Sequence, residues 1–399
     1  MHRSRLLSSV LVASILAFCG AAVAPNQAAA ASTSWTQFHY AATHSGYNPA
    51  ETKINAGNAS KLTIKWQRAL NDPWPGAPLV AGGRVFVLNS SSGKLYALRA
   101  SDGARLWTVT VGADYNAAAA VYGSLVVAPG HDSTGGLVAA YSTTSGARHW
   151  RTRIAGTAFI SSPTIYGSRL YLASDKTVYA LSATSGHVLW KTVVTTAQYG
   201  DITGPVAVSG GGQYVIAAGG DGYVYALVAG TGKVAWKVHA GSGIYHGGPA
   251  IYSGIVYVPE GRSGSEGGGF DICALQVSDG LVLWRAYAGD DVHVTPAAGN
   301  GMVVVGSIDD GIHALNAKTG AALWAADYEG EVWGDPVLAN GVVYVGTDTS
   351  LVIHSAANGA SLLYLGVGTS YASMSSPAVV NGRVYTATGD GRIIVLGLP

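Results

Sequence analysis

The chain has 399 residues, with 23 lysines and arginines against 22 aspartates and glutamates, a formal charge of +1. That balance provides no electrostatic footprint for nucleic acid or an anionic membrane surface, so recognition is expected to be local. With 55 glycines and only 5 phenylalanines, the composition suits many tight turns between short strands in one large domain.

In chain order, Arg3 and Arg5 precede an apolar run at 6–18 that is too short to span a bilayer comfortably, and Ala28 to Ala31 then offer a signal-peptidase site. Residues 1–31 therefore read as a secretory signal peptide, and the protein is expected to be secreted. Phe18 places a bulky ring where a lipid-attachment motif carries a small residue, so no lipid anchor is expected at Cys19. With the leader gone, Cys273 stands alone and an intramolecular disulfide is excluded. Residues 32–61 form an extension that is aromatic but without period (Trp35, Phe38, Tyr40, Tyr47), expected to drape over one face of the domain that follows.

From Leu62 onward the sequence is organised by repeats. The segment 62–68, with Trp66 near its centre, reads as a lone strand. After it a turn glycine is followed four residues later by a large apolar residue, at a period of forty-odd residues: Gly103 and Trp107, Gly146 and Trp150, Gly186 and Trp190, Gly232 and Trp236, Gly280 and Trp284, Gly320 and Trp324, Gly359 and Leu363. Each unit also has an apolar opening run and a second run rich in Val, Tyr and Ile, which makes four short strands per unit and predicts a β-propeller. Pro78, Ala119, Pro163, Pro205, Pro249, Pro296, Pro336 and Pro377 open eight units, but the last reaches Pro399 with three strands made. Pairing the lone 62–68 strand with those three closes the ring and removes the exposed edge at the seam. The fold expected for 62–399 is an all-β, eight-bladed propeller of four-stranded antiparallel blades.

The recurrent Tyr-Ala-Leu, Thr-Gly and Leu-Trp elements over about 62–396 resemble the repeats of quinoprotein (pyrroloquinoline quinone, PQQ) alcohol dehydrogenases and of the propeller lipoprotein that assists outer-membrane protein assembly. The resemblance implies the fold; such repeats serve dehydrogenases, sensors and scaffolds alike. Quinoprotein dehydrogenases hold PQQ beneath two adjacent disulfide-linked cysteines, with a calcium ion and a catalytic aspartate. This chain has no adjacent cysteines and no Cys-x-x-Cys-His haem motif, so neither PQQ nor calcium is expected as a cofactor.

The repeat separates packing residues from the rest. The tryptophans of the repeat, with Trp66, are expected between blades. His313 fills the slot of Tyr96, Tyr179 and Tyr225, and His354 that of Leu98, Leu181 and Leu227. His149 fills the slot of Leu106 and Leu189, and Cys273 replaces the tyrosine of Tyr-Ala-Leu as a buried thiol. Function is expected where siblings differ, on the loops entering each blade and the turns between second and third strands, which share one mouth of the channel. Three residues before each opener this rim carries Pro75, Asn116, Ile160, Ile202, His246, His293, Trp333 and Met374. Its polar residues gather on one side: Tyr245, His246, Asp290, Asp291, His293, Glu331, Trp333 and Asp335, with Glu260 and Arg262 from an insertion at 259–270. A second insertion covers 129–136 and carries His131 and Asp132.

These side chains suit a ligand site of stacking and hydrogen-bonding groups, and Tyr245, His246 and His293 are the acid–base candidates if chemistry follows binding. No metal-ligand spacing such as His-x-x-His occurs. Two readings stand: a secreted, monomeric binding or scaffold propeller for an extracellular glycan, peptide or protein, or a secreted polysaccharide lyase or glycoside hydrolase acting in the same funnel.

Overall fold

The computed structural model describes residues 33–113, 117–155, 160–241, 243, 247–260, 271–289, 292–307, 311–327, 331–366 and 375–399. Eight sheets of four antiparallel strands follow one another along the chain, the seventh joined by a parallel fifth strand, Tyr47–Asn48, and the only helix among the described residues is a 3-10 turn at Ala59–Lys61. Blades 1 to 7 span 79–110, 120–153, 164–193, 207–239, 250–286, 297–327 and 337–366. Blade 8 combines the last three strands, 378–397, with the early strand Thr63–Ala69, which pairs antiparallel to Arg392–Gly397. The ring is closed by its two chain ends, as the repeat count requires.

Each opener immediately precedes or lies within two residues of its innermost strand, where a residue without an N–H costs no ladder bond. Those strands are only two or three residues long, because the blades converge there. The outermost strands carry a register shift beside the tryptophan slot in all eight blades. The bulge turns the preceding residue outward, which is why Leu106, Leu189, Leu283 and Leu323 are exposed.

The glycine and tryptophan of the repeat serve two different interfaces. The indole N–H of Trp66 donates to the Ala100 carbonyl of the next blade at 3.0 Å, and Trp107, Trp150, Trp190, Trp236, Trp284 and Trp324 make the same bond to Thr143, Ala183, Ala229, Val277, Ala317 and Ala356. Each ring also lies flat on the turn glycine of that next blade: a Cβ on Gly103 would come 2.5 Å from Trp66, and one on Gly186 would come 2.4 Å from Trp150. The seven glycines have φ between 70° and 77°, a conformation side chains disfavour, so the position requires glycine on both counts. The exception explains itself. Blade 7 carries Leu363 because its neighbour, blade 8, is where the chain ends meet; it has no turn glycine there, and the Ala59–Lys61 turn packs on the Ser361–Gly366 strand instead.

The extension does not simply lie on a face. Residues 35–48 run inside the bore and touch the innermost strand of every blade in order. Trp35 exchanges two main-chain bonds with Val80 of blade 1, Thr36 accepts from Val121 of blade 2, and the Gln37 side chain accepts from Ile165 of blade 3. Ala42, Thr43, Ser45 and Gly46 accept from Val208, Ile251, Ala298 and Leu338 of blades 4 to 7, and the Asn48 amide donates to Val379 of blade 8. Between these contacts the backbone reverses through left-handed residues His39, Tyr40, His44 and Gly46. Buried Trp35, Phe38, His39 and His44 fill the bore, with Phe38 stacked on His39 and edge-on to His44. His44 donates from Nε2 to Thr164 Oγ1, whose hydroxyl donates to the Val206 carbonyl; burial, then His39, drives the His44 pKa down to about 3, so it is neutral. Residues past the thread lie on the face opposite the mouth, where Glu51 accepts from Gly382, Lys53 donates to Asn381 and Ile54 accepts from Asn340. Residues 31–399 accordingly form one compact unit.

Two outcomes follow. Gly186→Ala forces both a clash with Trp150 and a disfavoured φ, so it is expected to cost about 2–4 kcal/mol, read as a lowered denaturation midpoint at unchanged slope. Deleting 62–68 leaves the outer edge of the Arg392–Gly397 strand unpaired and removes the Trp66 clamp, and is expected to give aggregation or loss of a single cooperative melt by calorimetry. An unchanged melt is incompatible with the closure described.

Candidate functional site

The mouth opposite the 49–61 segment is built from the loops entering the blades and the turns between second and third strands. Isolated bridges fix its register: Pro75 pairs with Asn89, Ile160 with Ser174, and Val332 with Thr347. Ile160 and Pro75 stand three residues before their prolines, but Val332 stands four before Pro336. Ile160, Ile202, Val292 and Val332 are all buried apolar anchors, and Val332 packs where a Cβ on Gly306 would otherwise be. The loops into blades 6 and 7 thus hold one more residue between anchor and proline than those into blades 3 and 4. The extra length turns His293 and Trp333 away from the packed slot.

Three of the expected site residues therefore meet on neighbouring loops. The rings of His293 and Trp333 are 6.2 Å apart at a 59° tilt, and Trp333 donates its indole N–H to Glu331 Oε2 at 2.8 Å. Trp333 is 46 % exposed, so part of its side chain is open to solvent. Tyr245, His246, Arg262, Asp290 and Asp291 lie outside the described residues. Among the described residues no group of three or more His, Cys, Asp or Glu is placed to hold a metal ion.

Asp335 and Glu260 are engaged within the protein. Asp335 accepts from the Thr295 N–H at 2.6 Å and from the Ser376 hydroxyl, while its own N–H donates to Ser376 Oγ. It belongs to a stapling pattern that sequence reasoning missed, in which the residue before one opener binds the residue before the next. Ala118 N–H donates to Ser162 Oγ at 2.8 Å, and Gly248 N–H to Thr295 Oγ1 at 2.9 Å. The signal was present as Ser-Pro, Thr-Pro and Ser-Pro at 162–163, 295–296 and 376–377.

Glu260 is buried and turned into the crevice between blades 4 and 5. Its Oε1 lies 3.4 Å from Arg285 Nε, and Arg285 also donates to the His239 and Ala240 carbonyls of blade 4. Burial pushes the Glu260 carboxyl up to about 7, outweighing the opposing pull of Arg285 and of a hydrogen bond from Cys273. Cys273 sits fully buried in the tyrosine slot, its thiol raised to about 12 by burial and then by Glu260. His354 likewise fills its packing slot: it is 3 % exposed, donates from Nδ1 to the Gly359 carbonyl at 2.8 Å, and has its pKa lowered by burial.

This architecture, a ring of eight blades locked by recurrent Trp and Gly, defines the class as PQQ-like propellers. The family model described as outer membrane protein assembly factor BamB matches residues 48–132, 91–243 and 268–398, and the chain belongs to that family. The fold is shared with BamB from Moraxella catarrhalis (20 % identity, TM-score 0.63, covering 84 % of this chain and 99 % of that one). It is shared equally with quinohemoprotein alcohol dehydrogenase from Comamonas testosteroni (14 % identity, TM-score 0.71, covering 93 % and 81 %). Tetrathionate hydrolase from Acidithiobacillus ferrooxidans is 31 % identical over 190 residues, 43 % of this chain, and the match spans only 37 % of that protein. No helix among the described residues is long and apolar enough to cross a membrane.

An acid whose pKa is raised by folding holds its proton more tightly in the folded state, so the stability it contributes is lost as pH rises from the ordinary carboxylate range through about 7. Glu260→Gln removes that loss. Denaturant melts of the two proteins at pH 5 and pH 8 are expected to show the variant gaining on the order of 1–3 kcal/mol relative to wild type at the higher pH. A pH-independent difference would place the Glu260 carboxyl in a solvated setting.

Proposed function

We propose that this protein is an exported, monomeric binding propeller that presents the polar side of its mouth to an extracellular ligand, best matched by a glycan. The observation that carries the reading is the His293, Trp333 and Glu331 cluster, held on two loops lengthened by a residue and standing over a bore filled from below. An exposed indole beside a carboxylate offers a stacking face and a hydrogen-bond acceptor at its edge, the pairing a sugar ring requires. The export expected from 1–31 and the absence of a net charge field agree with a neutral or mixed ligand outside the cell.

The reading is independent of PQQ. The only cysteine past the leader is Cys273, buried in the blade 5 sheet, so the adjacent-cysteine cover of quinoprotein dehydrogenases has no counterpart in this chain. Below the mouth, Trp35, Phe38, His39 and His44 occupy the bore, and these residues do not fit a tricyclic quinone there.

A second reading, hydrolytic or lyase chemistry at the same mouth, is favoured by the 31 % identity to tetrathionate hydrolase over 190 residues. In it His293 is the described acid–base candidate and Glu331 its partner across Trp333. One experiment separates the two. The protein is screened against purified neutral and acidic polysaccharides and against tetrathionate, with binding, new reducing ends, unsaturated products and tetrathionate consumption recorded together. The expected result is saturable glycan binding without product, weakened about tenfold or more by Trp333→Ala with the melting temperature unchanged, since an exposed loop substitution typically costs within about 0.5 kcal/mol. Product formation abolished by His293→Ala supports the enzyme, and glycan binding indifferent to both variants removes the mouth from the function.

A further inference from the structure

The loops entering blades 1, 4 and 7 reach the mouth in one way. The residue just before Pro75, Ile202 or Val332 offers its carbonyl to the turn between second and third strands of the blade being entered. Trp74 accepts from the Ser90 N–H at 3.1 Å, Asp201 from Gly220 at 3.0 Å and Glu331 from Asp348 at 3.0 Å. Pro75 and Val332 then bridge to Asn89 and Thr347 of the same turns. Trp74 therefore stands in the rim slot of Glu331, the carboxylate that meets the Trp333 indole.

At Trp74 that slot presents a side chain at a cost to the backbone. The residue is left-handed, with φ 62°, a conformation that a bulky side chain disfavours; Asp201, in the same slot of the loop into blade 4, is not. The surroundings impose it. The Trp74 N–H donates to the Gly389 carbonyl of blade 8 at 3.0 Å while its carbonyl is held by Ser90 of blade 1. The Pro73 carbonyl before it accepts from Asn89 Nδ2 at 2.8 Å and from Ser91 Oγ at 3.0 Å, and Pro75 follows. An indole pinned in this way across the seam of the ring is nevertheless 49 % exposed. Strain kept where burial does not account for it points to a contact made from outside.

Trp74 and Trp333 stand on the loops into blades 1 and 7, two blade steps apart on one rim. Sheets pack about 10 Å apart face to face, so two steps exceed the span of a single sugar ring. From 319 to 382, the stretch that builds blade 7 and the loops on either side of it, the chain has five carboxylates and no lysine or arginine. That side of the mouth repels an acidic sugar. We propose that the mouth takes a linear, uncharged polysaccharide of the β-1,4-glucan type, laid from Trp333 to Trp74 with a sugar ring stacked on each indole. Such a chain is an extended ribbon of flat pyranose rings, whose carbon faces suit indoles set apart along it. The inference rests on the glycan reading of the mouth and adds to it the class of chain and the second indole.

The test is titration of the full chain with cellobiose, cellohexaose and hexagalacturonate by isothermal calorimetry, alongside thermal melts. Cellohexaose is expected to saturate and to bind about tenfold or more tighter than either cellobiose or hexagalacturonate. Trp74→Gly removes the indole and suits the left-handed backbone, so it is expected to melt no lower than wild type yet to bind cellohexaose about tenfold or more weakly, down to the level of cellobiose. Trp333→Ala is expected to show the same loss of affinity. The proposal is overturned by no cellohexaose saturation up to about 10 mM, by cellobiose or hexagalacturonate binding as tightly, or by wild-type affinity in Trp74→Gly. A lowered melt in Trp74→Gly also overturns it, since the indole would then serve packing. Loss of cellohexaose binding in Trp333→Ala alone overturns it while leaving the mouth a glycan site, whereas failure of every polysaccharide in the wider screen removes both readings.

Discussion

A propeller's innermost strands present a free edge to the bore, and unpaired main-chain groups facing a narrow apolar channel are costly. Here the cost is met by a single extended segment. The thread at 35–48 reaches all eight innermost strands in sequence, using main-chain carbonyls for most of them and the side chains of Gln37 and Asn48 for two. The bore is filled, the mouth acquires a floor, and whatever the mouth binds is held above that floor rather than passed through.

The blade interfaces were legible because they impose side-chain identity. An indole lying on a left-handed glycine leaves its mark every forty-odd residues, and even the exception at Leu363 follows from where the chain ends meet. The thread left no such mark. A main-chain bond to each blade makes no demand on residue type, so Ala42, Thr43 and Ser45 give no hint of their partners. The aromatic residues of the extension pointed only to a segment draped over one face, not to one threaded through the bore.

The mouth was legible in part for the same reason. His293, Trp333 and Glu331 stood out against sibling loops and do meet, but counting back from proline concealed a one-residue shift that only the pairing of Val332 with Thr347 reveals. Asp335 and Glu260 were conspicuous as charges, yet both are spent on neighbours distant in sequence: Thr295 and Ser376 for one, Arg285 for the other. A charge reads the same in sequence whether it faces solvent or a half-buried guanidinium, and composition of the rim carries no information about which way a carboxylate turns.

The thread also sets an order of events. Its residues are synthesised before the blades they bind: Asn48 binds Val379, 331 residues later, and no contact of the thread can be made before the corresponding blade exists. Blades assemble from neighbouring strands, whereas closure of the bore waits for the eighth blade, and contacts of such separation are slow to form. A polypeptide lacking its last blades can build sheets yet leaves the thread partly unbound and the Thr63–Ala69 strand without its partner. The two ends of the chain therefore act together as a check on completeness: the molecule becomes a sealed ring only when every repeat is present and counted.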